Sequence, residues 1–447
     1  MTAPGFLLPE NRSSPPSTYP WKTTLLCIVA SAPGAMAQSV LAPPPAAPPL
    51  VPAAVEAYQT NQPVQMQVFS PSAMGAPAPL NQPFQLGPFV FRPNILYQFM
   101  YGNGIQSSPG AAQNTIVQQF SPAVVIQEGL HWTLNYTPLF TFYSTSAFQN
   151  TVNQNVQLQW GTTWGDWFLT AAQSYAYSDQ PDAETAGQTE QQTYVTTFNG
   201  TYHINEKLST DIGFNQTFND YGQNSSTNLT LGLSNSRSWS TMNWLNDQFW
   251  PRFNGGIGVG FGYNQQQGSP DFLDQQLQAQ VSWRATDKFS FQLNGGLQAQ
   301  QYLSGGASGL VTPIFGGGLQ YQPFDQTRFS VNANRTVASS AYVNQVVETT
   351  SVTGDFNQRL FGAVFLDLSG GYSWGDYISS AADSSAARND DTYTFSSRLS
   401  CPFPKRGTVS IFYQYSKNVS TQNGFTTGSS AFGYSSNQVG FSLSYTY

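Results

Sequence analysis

The sequence of 447 residues predicts an all-β fold, an antiparallel transmembrane β-barrel, and three observations lead to this prediction. Charged residues make up only 9% of the chain, against roughly 25% in soluble domains. Aromatic residues reach 15%, while the polar character comes from Gln, Asn, Ser and Thr. Mean hydropathy is -0.30, and no stretch approaches the roughly 18 apolar residues of a membrane helix. Neutral polar residues that alternate with aromatic ones are typical of transmembrane barrels.

Charge and cysteine content limit the possible partners. The net charge of -7 leaves no basic patch for phosphates, which argues against nucleic acid. The two cysteines cannot build a disulfide framework, because Cys27 is expected to leave with a signal segment. Cys401 shares its parity with Phe395 and Leu399, and it is interpreted as a small hydrophobic residue. The sequence predicts no cofactor and no metal site.

Residues 1–37 are predicted to be a signal peptide. Lys22 supplies positive charge, TLLCIVA is the apolar segment, and an A-M-A cleavage site ends at Ala37. The region before Lys22 is long for such a signal, so a start codon elsewhere is an alternative. Acylation of Cys27 ranks below simple cleavage, because small residues do not precede this cysteine.

Residues 38–86 are predicted to be a disordered periplasmic linker. The segment is rich in Pro, Ala and Gln, as in LAPPPAAPPLVPAA, and such a composition cannot bury a core. A tether to a partner or to the cell wall is the alternative to a plain spacer.

From Phe89 onward, apolar and small polar residues alternate with a period of two, as the two faces of a strand require. In GTVSIFYQYSK only Phe412 breaks the alternation, and in LQAQVSWR and FSFQLNGGLQAQ glutamines alternate with apolar residues. One face is therefore apolar and the other is polar but nearly uncharged. The predicted membrane-facing set is Val409, Ile411, Tyr413, Tyr415, Leu366, Leu368, Tyr372 and Trp374.

Short turns and long loops alternate along the chain. Turns are predicted near residues 128–131, 161–166, 205–207, 250–254, 285–288, 322–328, 358–361 and 402–407. The longer loops include NGIQSSPGAAQN, SDQPDAETAGQTE, ISSAADSSAARNDD and TQNGFTTGSSAFG. This pattern predicts a barrel of about 18 strands over residues 87–447, with both termini periplasmic. A β-propeller has a similar repeat length, but it lacks the one-sided asymmetry of the loops.

The last strand carries an alternation that ends in an aromatic residue, VGFSLSYTY, with Phe441, Leu443, Tyr445 and Tyr447 on one face. This ending resembles the C-terminal signal by which bacterial outer-membrane proteins are presented to the barrel-assembly machinery, although that family more often ends in Phe. RPNILYQFMYGNG and FLDLSGGYSWGDY resemble the β-barrel porins that are often encoded with exopolysaccharide or exosortase systems. The resemblance implies integral insertion into the bacterial outer membrane and covers roughly residues 89–447.

An enzymatic site is not predicted. Only His131 and His203 exist, and no G-x-S-x-G motif accompanies them, so the chain offers no nucleophile with an oriented base. Asp383, Asp390 and Asp391 are grouped in one predicted loop. A divalent cation is one interpretation of this group, and a solvated acidic run is the more common one.

A barrel of about 18 strands encloses an aqueous lumen unless loops fill it, which predicts a porin-like channel for small polar or saccharide-like solutes. Two alternatives stay open: an accessory barrel of exopolysaccharide secretion, and a structural or adhesion barrel with an occluded lumen. The expected partners are outer-membrane lipid, the barrel-assembly machinery and polysaccharide-secretion components.

Seven residues have lumen parity in this register. The predicted lumen-lining residues are Arg284, Arg398, Asp367, Gln278, Gln280, Gln292 and Gln298. Two interpretations of the charged members stay open: they shape solute passage, or they are ordinary wall residues. The second is the more common case because lumens are normally polar. Arg335 falls on the apolar parity of Val331, and it is interpreted as a strand exit, with a bulge as the alternative.

Overall fold

The computed structural model describes residues 84–446 except 109, 130, 183, 186, 223–232, 305–308, 381–387, 404–405 and 423–431. The predicted signal peptide, most of the predicted linker, Asp383 and Tyr447 lie outside the described residues. In the part that is described, no helix has the length and apolar character needed to cross a membrane.

All of the regular structure in the described residues consists of strands. They are β1 (Phe84–Leu86), β2 (Phe89–Ser108), β3 (Ala111–Glu128), β4 (Trp132–Tyr143), β5 (Thr151–Trp164), β6 (Trp167–Ser178), β7 (Pro181–Asp182), β8 (Gly187–Gln188), β9 (Gln191–His203), β10 (Leu208–Tyr221), β11 (Ser236–Trp250), β12 (Phe253–Gln266), β13 (Phe272–Thr286), β14 (Phe289–Tyr302), β15 (Leu310–Phe324), β16 (Thr327–Ser339), β17 (Gln345–Leu360), β18 (Val364–Ser379), β19 (Arg388–Phe403), β20 (Gly407–Gln422) and β21 (Tyr434–Thr446).

The strands β2 to β6 and β9 to β21 form one closed antiparallel barrel of eighteen strands. Each pairs with its neighbours along the chain, and β21 pairs back onto β2, with Phe441 opposite Phe99. The short strand β1 pairs with β2 beyond the end of β21, and β7 and β8 form a separate small hairpin. The predicted all-β class, the antiparallel barrel and the number of its strands are confirmed.

Neighbouring residues along a strand differ sharply in exposure, and this difference identifies the inner face. Leu277 is 63% exposed and Gln278 is 5% exposed; Leu297 is 55% exposed and Gln298 is 3% exposed. Side chains that point into a closed barrel converge and cover one another, so the buried polar parity is the inner one. The apolar parity then faces outward around a barrel whose backbone groups are paired internally. The protein is an integral barrel of the bacterial outer membrane.

The predicted membrane-facing residues all have this outward parity. Trp374 lies opposite Thr350 and shares the outward face of β18 with Tyr372. Ile411 lies opposite Phe441. The register of β17 with β18 and of β20 with β21 contains no shift in the described pairs. The outward set includes Val409, Ile411, Tyr413, Tyr415, Leu366, Leu368, Tyr372 and Trp374.

The two ends of the barrel differ, and we call them the turn end and the loop end. Connections of two to four residues, such as 165–166, 204–207, 251–252 and 287–288, lie at the turn end. Both Phe84 and Thr446 lie at the turn end as well; the periplasmic placement of that end stays a prediction. One predicted loop is wrong, because β2 and β3 extend through NGIQSSPGAAQN and leave only residues 109–110 between them. There, Gly110 adopts a φ of 75°, which lets the chain reverse tightly.

The hairpin of β16 and β17 leaves the barrel wall at its loop end. Pairing between β15 and β16 stops at Arg335, while β16 stays paired with β17 as far as Ser339. Arg335 forms an ion pair of 2.5 Å with Glu348, whose other oxygen accepts a hydrogen bond of 2.6 Å from Thr312 on the inner wall. At Arg335, β16 therefore stops pairing with β15 but continues to pair with β17, and the pairing with β17 shows no register shift.

Candidate solute pathway

The predicted glutamines lie together on the inner face of β13 and β14. Gln278 is opposite Gly296, Gln280 is opposite Asn294, and Gln292 is opposite Ser282. Asn294 donates a hydrogen bond of 3.1 Å to Gln278, which donates one of 2.9 Å to Gln276. Gln298 donates to the Asp274 carboxylate at 3.0 Å. This wall is therefore amide-rich, and the role of these residues in solute passage stays a prediction.

A chain of hydrogen bonds continues from this wall around the lumen. Gln280 donates to Asn246 at 2.6 Å, Asn246 donates to Asp211 at 2.6 Å, and Thr201 donates to the other oxygen of Asp211 at 2.7 Å. The bond between Asn246 and Gln280 crosses β12 at Gly256, where a Cβ would overlap the amide of Asn246. Charge-assisted bonds of this kind hold the carboxylate in place and disperse its charge.

A further glycine of β12, Gly258, makes room for large side chains on the inner wall. A Cβ at Gly258 would lie 2.6 Å from the Trp244 indole and 2.8 Å from the end of Met242. Trp244 is consequently packed across the neighbouring strand and is only 3% exposed. The alternating glycines of GGIGVGFGYN were visible in the sequence, but the side chains that they accommodate were not.

Charged residues form a row on the inner wall from β16 to β19. In the strand register, Asp367 lies opposite Arg398 on β19 and opposite Asn357 on β17. The Asn357 amide donates a hydrogen bond of 2.7 Å to the Asp367 carboxylate. Arg328 lies next to Asn357 in the same row and was not predicted. Arg284 is not brought to this group: it is exposed at the turn end of β13. The structure thus joins two of the three predicted charges.

The same row of inward residues becomes apolar on β20, β21 and β2, where the barrel closes. Phe412, the residue that broke the alternation in β20, is paired opposite Arg398 and opposite Gly440. It belongs to a buried cluster with Met100 and Val117 on β2 and β3. The inner wall consequently carries a charged section and an apolar section side by side. The cluster consists of Met100, Ile105, Val117, Phe148 and Phe412, with Tyr143 packed against it.

A segment between β6 and β9 crosses the loop end of the barrel. We call residues 179–190, which include β7 and β8, the strap. The Glu184 carboxylate accepts hydrogen bonds of 2.8 Å from the Ser340 hydroxyl and from the Ala341 backbone N–H. The strap connects β6 to β9, whereas Ser340 and Ala341 lie in the connection from β16 to β17. Eight barrel strands (β9 to β16) separate these two connections one way around the barrel, and ten (β17 round to β6) separate them the other way. The contact therefore joins nearly opposite sides of the barrel.

Buried aromatic and charged side chains support the strap from the far wall. The Arg388 guanidinium lies 3.8 Å from the ring centre of Tyr377 and 4.0 Å from that of Phe432, and it forms an ion pair of 3.0 Å with Asp390. Its Nη1 lies 3.5 Å from the Glu184 carbonyl oxygen. Burial raises the pKa of Tyr342, which lies against Phe432, so its phenol stays neutral. Together these side chains form a buried cluster at the loop end of the barrel.

The acidic group that suggested a cation is separated by the strand geometry. Asp390 and Asp391 lie in β19, not in a loop, and adjacent strand residues point to opposite faces. Asp390 pairs with Arg388, whereas Asp391 accepts a hydrogen bond of 2.7 Å from the outward Tyr372. Among the described residues no group of three acidic, cysteine or histidine side chains is placed to hold a metal ion.

The remaining residues of interest lie away from the lumen. Phe441, Leu443 and Tyr445 are on the outward face of β21, between 38% and 49% exposed. His131 hydrogen-bonds the Gly161 carbonyl at 2.8 Å in a turn, and His203 ends β9. Recognition of this outward row of β21 by the barrel-assembly machinery, before β21 pairs with β2, stays a prediction.

Comparisons with known proteins yield distant structural likenesses. No family model matches the chain, and no curated protein sequence matches it. OccK2 (OpdF) of Pseudomonas aeruginosa is similar at a TM-score of 0.44 and 10% identity, over 80% of this chain and 98% of that chain. OpdK of the same organism, in a structure with vanillate, has a TM-score of 0.42 and 10% identity, over 80% and 99%. OccAB3 of Acinetobacter baumannii has a TM-score of 0.43 and 10% identity, over 80% and 99%.

Proposed function

We propose that this protein is a porin-like channel for the passive passage of small polar solutes, with neutral saccharides as the preferred class. The observation that supports this most directly is the hydrogen-bonded inner wall, in which Asn246 and Gln280 continue the chain from Asp211. Amides and hydroxyls replace water for an uncharged solute without attracting an ion atmosphere. The strap restricts passage to solutes that are small enough to go around it.

The saccharide preference follows from the amides of the wall. Gln280 and Gln292 have inner parity and are only partly buried, so they offer both donors and acceptors to sugar hydroxyls. The aromatic residues of inner parity, Trp244 and Phe412, are buried, so the amides and not the ring faces support this preference. The excess of 23 acidic over 16 basic residues gives at most a mild preference for cations.

Planar-bilayer recording tests this function. The purified barrel should conduct ions with little selectivity, and neutral sugar polymers should reduce the current. Strong anion selectivity would contradict the saccharide preference. A folded, heat-modifiable sample that shows no conductance would contradict the channel itself.

A structural barrel with an occluded lumen is the second candidate, and the contact of Glu184 with Ser340 and Ala341 favours it. The same recording separates the two functions, because an occluded barrel carries no current even when its fold is intact. An accessory role in exopolysaccharide secretion is supported only by the resemblance in sequence. The neighbouring genes are the observation that tests that role.

We also propose that Phe441, Leu443 and Tyr445 on β21 are read by the barrel-assembly machinery. Their common outward face supports this, since an unpaired edge strand presents both its backbone and one row of side chains. Replacement of all three by Ser should reduce the amount of assembled barrel. Replacement of the inward Ser442 and Ser444 by Ala should leave it unchanged, and an equal loss in both variants would contradict the proposal.

A further inference from the structure

Two parts of the outward face of the barrel differ in chemistry. On β12 to β15 the outward side chains between the ends are apolar or glycine, such as Val259, Leu277 and Leu297, except for Gln275. On β6, β9, β10 and β11 the outward parity instead includes amides and hydroxyls at mid-strand. We call this second part the polar sector, and its outward residues are Gln173, Thr196, Gln216, Thr241 and Asn243.

Gln173 of the polar sector lies between two aromatic rows, within the apolar band. Trp167 and Tyr202 pack at 5.0 Å toward the turn end, and Tyr175 and Tyr194 pack at 4.9 Å toward the loop end. Gln173 is between these rows on β6, two residues from Tyr175. Aromatic rows mark the lipid interfaces of such barrels, so the Gln173 side chain lies at the depth of the hydrocarbon.

Among the described residues, hydrogen bonding satisfies the Gln173 amide only in part. Thr196 donates to the Gln173 oxygen at 2.6 Å, and the bond found there for the Gln173 amide nitrogen is one of 3.3 Å to the carbonyl of Ser174. Gln216 lies next to Thr196 on β10. Lipid chains offer no partner to an amide, and a polar group without a partner in such surroundings is costly. A protein surface with complementary donors and acceptors would remove that cost.

Opposite charges flank the same sector at its loop end. Arg237 has outward parity on β11, where its guanidinium lies 5.5 Å from the Phe218 ring centre, and it is exposed. Asp220 has the same parity at the end of β10. Of the ion pairs found among the described residues, none includes Arg237 or Asp220. A twofold axis that passes between these two positions would place each charge of one copy near the opposite charge of the other.

We propose that the polar sector is the contact surface between two copies of this chain in the outer membrane. Amides are donors and acceptors at once, so the surface is complementary to itself. Arg237 and Asp220 add complementarity of charge at the rim of the contact. The apolar part of the barrel, β12 to β15, faces lipid in the assembled pair.

Cross-linking through single cysteines tests this contact, and the chain offers a matched control. Gln192 on β9 and Gln301 on β14 both have outward parity at the loop end, but only Gln192 belongs to the polar sector. In a Cys401→Ser background, a short bis-maleimide should link Gln192→Cys into a species of twice the mass in isolated outer membranes. Gln301→Cys should stay monomeric. Equal linking at both positions, or linking of Gln192→Cys only to other proteins, would overturn the proposal.

Charge reversal distinguishes a second copy from a phosphate-rich lipid headgroup as the partner of Arg237. Arg237→Asp and Asp220→Arg should each shift the native species from dimer to monomer in mild detergent. The double variant should restore the dimer, because the two charges are exchanged. A double variant that stays monomeric while heat modification shows an intact barrel would overturn the proposal, as would a wild-type barrel that is monomeric in the membrane.

Discussion

The Glu184 carboxylate accepts a hydrogen bond of 2.8 Å from the backbone N–H of Ala341, although 157 positions of the chain separate the two residues. The bond joins connections that leave the barrel on nearly opposite sides. The root of the strap is held separately, since the Gln188 side chain hydrogen-bonds the backbone of Gln149 at both its N–H and its carbonyl. The far end of the strap is therefore held by this carboxylate and by Arg388, whose Nη1 lies 3.5 Å from the Glu184 carbonyl oxygen.

The first prediction concerns this carboxylate. Glu184→Ala removes the acceptor for Ser340 and Ala341, and each lost bond to a charged group costs about 1.5–3 kcal/mol. We expect the strap to leave the middle of the lumen, so that the single-channel conductance in planar bilayers increases. Glu206→Ala is the control, because it removes the same charge from a turn at the other end of the barrel. Equal conductance in wild type and Glu184→Ala would contradict a strap that restricts the pore.

The barrel could be predicted from sequence, whereas the strap could not, and the reason is physical. Strand parity is a local property, and residues such as Ile411 and Ser410 reveal it through their immediate neighbours. The contact between Glu184 and Ala341 depends on how distant loops meet, and the sequence of the strap looks like any polar loop. Phe412 was an intermediate case: its exceptional parity was visible, but its partners Met100 and Val117 lie on strands that only barrel closure brings near.

The second prediction concerns the glycine beneath Trp244. Gly258→Ala places a methyl group 2.6 Å from the indole, so Trp244 must move or the strands must separate. We expect a loss of stability of about 1–3 kcal/mol, the usual cost of overpacking. Urea unfolding of the barrel in lipid vesicles, followed by tryptophan fluorescence, measures it.

Gly295→Ala is the control for this substitution. Gly295 has outward parity, and a Cβ there would lie 3.7 Å from its nearest neighbour, an ordinary contact. This variant should unfold at the same urea concentration as wild type or at a slightly higher one, since the unfolded chain loses freedom. Equal destabilisation by the two alanines would show that glycine content matters and that the packing of Trp244 does not.

The third prediction concerns closure of the barrel. A Cβ at Gly440 would overlap the Phe99 carbonyl oxygen and lie 2.8 Å from the Phe412 ring. The first neighbour is backbone and cannot rotate away, so Gly440→Ala should hinder the pairing of β21 with β2. We expect less heat-modifiable barrel in the outer membrane. Gly354→Ala should assemble normally, because its Cβ would meet nothing closer than 4.0 Å.

The fourth prediction concerns the charged row of the inner wall. Arg398 is paired with Asp367 across β18 and β19, and Asn357 holds that carboxylate at 2.7 Å. Arg398→Gln removes the positive charge opposite this carboxylate, so the negative charge is less compensated in a confined lumen, where fields are weakly screened. We expect the reversal potential in a KCl gradient to shift toward cation selectivity. Asp367→Asn should shift it toward anions, and the double variant should return it close to the wild-type value.

Arg284 provides the comparison that separates a lumen effect from a change in total charge. Its side chain is exposed at the turn end, where salt screens charges beyond about 8 Å at physiological ionic strength. Arg284→Gln changes the net charge of the protein by the same amount as Arg398→Gln, yet it should shift the reversal potential less. The difference between the two variants should diminish as the salt concentration rises. A larger shift for Arg284→Gln would mean that ions are selected at the turn-end rim, and the row of Asp367 and Arg398 would then be ordinary wall.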